Sequence, residues 1–266
     1  AIISSVDKII EDNYLTKKNI LGLGIGLAGL IDTNKGIVHF LPNISGWREV
    51  NLKKILEKKL KLPVILDNDV KLMALAEYKL GAARGTNNAF CLTLGTGVGG
   101  GIILDGKLYR GSDNATGEIG HIPINEAGPC CSCGGSACLE AYIGNNRIRQ
   151  EARRLFGRNI SLEELSVLAR RKNKRSLAIW SEVGERLGIA LTSVVNLLNL
   201  DTIVVGGGVA NAGSFLFDKV RQTIKKRAMS VQAKRVKVFK AKLGFDSGLI
   251  GAAILVSQRA MVWLPI

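Results

Sequence analysis

The sequence predicts an α/β protein built as two lobes. Apolar, strand-like runs alternate with helical periodicity along the whole chain. Two strands that end in glycines, "LGTGVGGG" and "IVVGGGVA", stand on either side of a helical block. At 266 residues the chain can bury a large core and is long enough for two lobes. The first lobe is expected over residues 1–83, rejoined by a C-terminal helix at about 247–266, and the second over 84–246, with the junction at 82–85 after "KLGA". Ligands in such an architecture are expected between the lobes.

The elements follow in order. "AIISSVDKIIEDNY" has helical spacing, and "ILGLGIGLA" (20–28) is an apolar, glycine-spaced run that predicts a buried strand, followed by a short strand in "GIVHFL". "NLKKILEKKLKL" (51–62) is amphipathic, with Leu and Ile on one face and Lys on the other; Pro63 ends it and opens the strand "VIL". "NDVKLMALAEYKLGA" predicts a helix capped by Asn68 or Asp69 and ended by Gly81. Residues 89–111 hold two strands around a glycine turn, and Asp105-Gly106 turns the second into "KLYRG". A mostly helical stretch ends in the long core helix "SLAIWSEVGERLGIALTSVVNLLNL". Then come the strand "TIVVGGG", a helix near 214–228, the strand "RVKVFKA" and a last helix from about Ser247.

No apolar run reaches the roughly 18–20 residues of a membrane span. The first residues lack the basic start of a signal peptide, so the expectation is a cytoplasmic protein with no membrane partner, in which clustered cysteines favour metal over disulfides. The 37 basic and 22 acidic residues leave a net charge of +15, which raises nucleic acid as a partner. The basic residues are scattered, in "LKKILEKKLKL", "RRLFGR", "ARRKNKR", "KKR" and "KRVKVFKAK", as solvated helix faces are. With no RNA-binding aromatic motif, zinc-finger spacing or helix-turn-helix, direct nucleic-acid binding by this chain is not expected.

Three constellations could carry chemistry. In "LGTGVGGG", Gly95 and Gly97 bare the backbone around Thr96, so several N–H groups and a hydroxyl can face one anion; a tight hairpin without a ligand is an equal reading. Gly206, Gly207 and Gly208 could likewise admit a ligand to the backbone or serve as a plain strand-to-helix turn. Asn68-Asp69 ends a strand, where open α/β folds present their chemistry, and the Asp69 carboxylate could take a proton from a hydroxyl; a simple helix cap is the blander alternative. His121, Cys131, Cys133 and Cys138 offer one nitrogen and three sulfurs, the donor set of a structural tetrahedral zinc. Cys130 is left over, and Cys91 within a strand is expected as a buried small hydrophobe. Around the knuckle, Glu118, His121 and Glu140 could present acceptors to a polyhydroxyl ligand, or Glu118 could orient His121. "LPNISGW" adds Asn43, with Trp47 as ordinary packing.

Together, "GIGLAGLID", "PNISGW", "LDNDVKLMALAE", "LGTGVGGGIILDGKLYRG", "GEIGH", "CSCGGSACLE" and "GLIGAAIL" resemble the ROK family (repressors, open reading frames and sugar kinases) from about residue 20 to about 256. The resemblance implies an actin-like ATPase (ribonuclease H-like) fold with a zinc knuckle and, in the family's kinases, transfer of the ATP γ-phosphate to a sugar 6-hydroxyl with Mg2+. It implies Asp69 as general base and Asn43, Asn68, Glu118, His121 and Glu140 as contacts to a hexose, glucose or an N-acetylhexosamine. It further implies Gly95, Thr96 and Gly97 as phosphate loop, Gly206 to Gly208 near the adenosine, structural Zn2+, and a homodimer. The family's kinases begin on a strand carrying Asp-x-Gly-Gly-Thr, which has no counterpart in these 266 residues, so an incomplete phosphate site is expected. Val70 and Lys71 replace the usual small residue and asparagine, and Ala137 stands where glycine is common. The alternative within the family is the sugar-sensing effector domain of a transcriptional repressor.

Overall fold

The computed structural model describes residues 1–42 and 44–263, so the expected sugar contact Asn43 lies outside the described residues. The chain divides into two compact units. One holds Ala1–Ala76, Arg110–Thr116 and the segment from Asp246 on; the other holds Glu77–Tyr109 and Gly117–Phe245. The division falls ahead of the expected 82–85 junction, and residues 110–116 return to the first unit.

The first unit opens with α1 (Ile2–Asp12), β1 (Leu23–Leu27), β2 (Leu30–Asp32), β3 (Ile37–Phe40) and β4 (Arg48–Val50). It continues with α2 (Leu52–Leu60), β5 (Val64–Asn68) and α3 (Asp69–Leu80), which runs past Ala76 into the second unit. Strands β1 and β5 pair in parallel, from Leu23 opposite Val64 to Leu27 opposite Asn68, while β2, β3 and β4 form an antiparallel sheet. Helix α2 buries Leu52, Leu56 and Leu60, one per turn, and turns its lysines outward. The Asn51 side chain accepts from Lys54 N, and Lys61 ends the helix in the left-handed region at φ 56° before Pro63 starts β5. These leucines pack with Ile31, Val38, Val64 and Leu66 into one core, against which Trp47 lies as ordinary packing. Neither alternation nor length marks β2 and β4 in the sequence, because three residues are too few to show a period.

The glycine spacing of β1 has a steric cause. Gly22, Gly24 and Gly26 alternate along the strand and so share one face. A Cβ on Gly24 would stand 2.8 Å from the Ala252 carbonyl, and one on Gly26 3.0 Å from Leu72. Gly24→Ala is therefore expected to cost about 1–3 kcal/mol through overpacking, read as a lowered denaturant midpoint at unchanged slope.

The second unit carries β6 (Ala89–Leu94), β7 (Val98–Leu104), β8 (Lys107–Tyr109), α4 (Leu139–Ile143), α5 (Asn145–Phe156) and α6 (Leu162–Arg170). It ends with α7 (Lys174–Leu198), β9 (Thr202–Gly206), α8 (Ser214–Arg227), α9 (Ser230–Arg235) and β10 (Lys237–Lys240), after which α10 (Ser247–Trp263) rejoins the first unit. Its sheet runs in the order β10-β9-β6-β7-β8, with β10, β9 and β6 parallel and β6, β7 and β8 an antiparallel meander. Asp105 (φ 48°) and Gly106 (φ 73°) make the β7–β8 turn, both in the left-handed region that a two-residue hairpin favours. The long helix α7 buries Trp180, Leu187, Leu191 and Val195, and Gly188 lets α8 approach so closely that a Cβ there would lie 2.5 Å from Thr223 Cβ. Cys91 is fully buried in β6, as expected of a small hydrophobe, and burial pushes its thiol far up.

Candidate functional site

In the first unit the candidate residues Asn68 and Asp69 stand at the β5–α3 junction. Asn68 closes the parallel pair opposite Leu27, and its Oδ1 accepts from Val70 N (3.0 Å) and Lys71 N (3.1 Å) while its Nδ2 donates to Gly29 O (3.2 Å). Asn68 is thus the cap of α3. Asp69, at the first position of α3, keeps one contact to its neighbour's Val70 N–H at 2.9 Å. Burial pushes its carboxyl above the usual carboxylate range, against the pull of the Val70 N–H. A carboxylate raised in this way at a strand's carboxyl end is suited to accept a proton.

Two neighbours of Asp69 make contacts that escape local sequence patterns. Asp67 is 1 % exposed; it accepts from Thr33 Oγ1 at 3.1 Å and from Arg110 Nη2 at 2.5 Å. Lys71 is 3 % exposed and donates to the Asn114 carbonyl. Both contacts fasten the 110–116 segment to the junction that bears Asp69, one from each side of it. Their partners lie 43 residues away in sequence, beyond the reach of any periodicity or spacing. Arg110→Ala would leave the buried Asp67 without its cation and is expected to cost about 3 kcal/mol, measured by denaturant unfolding near neutral pH.

In the second unit the glycine turn and the knuckle meet at α4. Gly95 N donates to Gly97 O at 2.9 Å, and Asn145 N at the start of α5 holds Gly95 O at 3.0 Å. Glu140 Oε2 accepts from Val98 N at 2.8 Å, and a Cβ on Gly97 would stand 2.9 Å from the same oxygen. Glu140 therefore braces the turn in addition to any contact with a ligand. Thr93 pairs with Gly206, and Gly207 has φ 83° with Leu94 O only 2.2 Å from where its Cβ would stand. The Gly95–Gly97 turn and the Gly206–Gly208 segment thus lie side by side at the carboxyl ends of two parallel strands, the usual ligand position in open α/β sheets.

Glu118 is exposed at the entry to a single 3-10 turn, Ile119–His121. That turn sits hard against β7: a Cβ on Gly117 would lie 2.0 Å from Gly100 O, and one on Gly120 2.3 Å from Val98 O. Leu139 N donates to Ile122 O at 3.0 Å, which sets Glu140 beside the turn bearing Glu118 and His121.

The ligand atoms of His121, Cys131, Cys133 and Cys138 all lie within 4.8 Å of one another. Cys133 Sγ and Cys138 Sγ are 3.8 Å apart, and Cys131 Sγ is 3.6 Å from His121 Nδ1. Tetrahedral zinc with bonds of about 2.3 Å to sulfur requires edges of about 3.8 Å, so the residues fit that ion. Burial, reinforced by the neighbouring sulfurs, pushes the Cys138 thiol up to about 12, so a thiolate there calls for a cation. Gly134 (φ 92°) and Ala137 (φ 55°) wind the knuckle through the left-handed region, which is why glycine suits position 137. Cys130 is exposed and stands outside the cluster. Among the described residues no helix is long and apolar enough to cross a membrane.

The fold is the α/β fold of ROK proteins, matching sugar-kinase structures of the actin-like ATPase type. The ROK family model matches residues 1–259, and the chain belongs to that family. It is 35% identical over 277 residues to the glucokinase of Halalkalibacterium halodurans, covering 97% of this chain and 82% of that one. The ROK family glucokinase of Streptomyces griseus in complex with glucose and AMPPNP superposes with a TM-score of 0.80 at 32% identity, over 89% of this chain and 81% of that one. A ROK family transcriptional regulator, a homologue of the E. coli MLC protein, superposes with a TM-score of 0.89 at 27% identity, over 97% of this chain and 67% of that one.

Proposed function

We propose that the chain is a cytoplasmic ATP-dependent hexose kinase that phosphorylates the sugar 6-hydroxyl, glucose being the first candidate and an N-acetylhexosamine the second. The observation that carries this is the glycine turn. Gly95, Thr96 and Gly97 are intact, braced by Glu140 and flanked by Gly206, Gly207 and Gly208, an arrangement an effector domain that only senses sugar does not need.

Asp69 takes the proton of the 6-hydroxyl as its oxygen bonds to the γ-phosphorus and the bond to the β-phosphate oxygen breaks, releasing ADP. Its raised affinity for protons favours that transfer, and the Asn68 cap fixes the helix start from which it projects. Asn43, Asn68, Glu118, His121 and Glu140 supply the sugar contacts. Were zinc held at the Nδ1 that faces Cys131 Sγ, the His121 ring would carry its proton on Nε2 and could donate it to a sugar oxygen. His121, Cys131, Cys133 and Cys138 would hold that zinc, and its role would be structural. Mg2+ bound with the nucleotide would supply neutralisation of the phosphate charge. The active species is a homodimer, checked by light scattering.

ADP release coupled to a spectrophotometric assay, run with glucose and with N-acetylglucosamine, tests the reading; sugar binding by calorimetry without any ADP release would overturn it. That second outcome is the signature of the repressor effector domain, which the close superposition on the ROK regulator favours.

A further inference from the structure

Ten of the 37 basic residues, and one of the 22 acidic ones, Asp218, fall between positions 218 and 242, so this stretch carries +9 of the net charge of +15. In sequence these cations looked scattered. The fold gathers them on α8, α9 and β10, three elements in mutual contact through α8. Asp218 is engaged by Arg221, Glu185 by Lys219 and Asp201 by Arg235. Among the described residues, Lys225, Lys226, Arg227, Lys234, Lys237 and Lys242 are exposed and take part in no ion pair.

A groove of about 370 Å³ runs through this face. Its floor is apolar, with Ile224, Val236 and Val238, and its walls carry Arg221, Lys225 and Lys237. Strand β10 is the edge of its sheet, but Arg221 Nη2 donates to Val238 O at 2.8 Å and so occupies an outward carbonyl that an added strand would need. The surface therefore suits a side-chain anchor more than strand pairing.

We infer that this groove docks an acidic segment of a partner protein, one that places an apolar side chain on Ile224, Val236 and Val238 while its carboxylates meet Lys225, Lys237 and the neighbouring lysines. Charge complementarity selects the sign, since a +9 face attracts acidic chains and raises their association rate. The apolar floor selects the class. A single-stranded nucleic acid asks for successive stacking platforms along a cationic track, and the one aromatic of the lining, Phe239, does not make a series. A duplex, held through its phosphates, leaves the apolar floor without a partner. A second copy of the chain would set this face against its own like charge in a two-fold contact. The inference is independent of the proposed kinase activity, because none of these residues belongs to the site described above.

Fluorescence anisotropy on the full chain tests it, with a labelled peptide of glutamates flanking a pair of leucines as the probe. The peptide is expected to bind, and more weakly as salt rises from about 50 to about 300 mM. The double variant Lys225→Glu/Lys237→Glu should weaken it at least about tenfold at an unchanged melting temperature, whereas Lys225→Arg/Lys237→Arg should retain it. Serines in place of the two leucines should also weaken binding. No binding, or binding indifferent to the charge reversal, overturns the inference. So does tighter binding of a DNA duplex of equal charge that the same reversal abolishes, which would make the face a nucleic-acid surface. A dimer that dissociates on charge reversal would assign the face to a second copy and overturn it as well.

Discussion

Asp69→Asn is expected to lower turnover by at least about a hundredfold while hexose binding, measured by calorimetry, persists. The same substitution is expected to raise the melting temperature. Burial lifts the Asp69 carboxyl above its ordinary range, so the folded chain holds that proton more tightly than the unfolded chain does. As pH climbs from the ordinary carboxylate value through the raised one, the side chain ionises at the expense of stability, and above that window the full cost is present. Asparagine keeps the shape and hydrogen-bonding capacity without the charge and so removes the cost. Catalysis runs the other way, since the base must be ionised: kcat/KM should fall on the acid side at a pH above the usual carboxylate range. Unchanged turnover in the variant would remove Asp69 from the role of base, and a lowered melting temperature would contradict the electrostatic account of its burial.

Stripping zinc, by chelator or by Cys131→Ser, is expected to cost about 3 kcal/mol or more, a fraction of the roughly 10–16 kcal/mol that structural zinc supplies to zinc-finger peptides. The larger part of the second unit's stability rests on the core around Trp180, so the unit should stay folded while the loop opens. Because Leu139 N is bonded to Ile122 O, loosening His121 also frees the α4 start that carries Glu140, and the KM for hexose should rise more than kcat falls. Elemental analysis should find one zinc per chain in the wild type and in Cys130→Ser, whose thiol lies outside the cluster, and none in Cys131→Ser. Absence of zinc from freshly purified wild type would defeat this account.

Much of the fold could be read locally. Pro63 marks the end of α2 and the start of β5, and Asp105-Gly106 marks the β7–β8 turn, because each feature lies within a few residues of what it determines. The His/Cys cluster could be read for the same reason: three of its four residues lie within eight positions. Asn68-Asp69 was legible as a dipeptide, but which residue caps the helix depends on rotamers, and Asn68 Oδ1 decides it. Partners across long sequence separations could not be read. Glu77, fully buried, accepts from Lys242 N and Leu243 N, 165 and 166 residues onward, and nothing in "ALAEYKL" announces that. Arg110 on Asp67 is of the same kind. The basic face on α8, α9 and β10 shows the limit from the other side, since its composition was plain and only the packing made it a surface.

The second unit's sheet also sets an order of assembly. Strands β6, β7 and β8 follow one another between Ala89 and Tyr109, joined by two tight turns, and their pairings close only short loops. Strand β9 reaches β6 only after the entire knuckle and four helices have been made, as the bond from Asn88 N to Asp201 across 113 residues shows. Loop-closure entropy delays such pairing and raises contact order. The meander therefore forms early and offers the free side of β6 as a template, so substitutions in the Asp105-Gly106 turn should slow refolding, whereas those in β10 should chiefly speed unfolding.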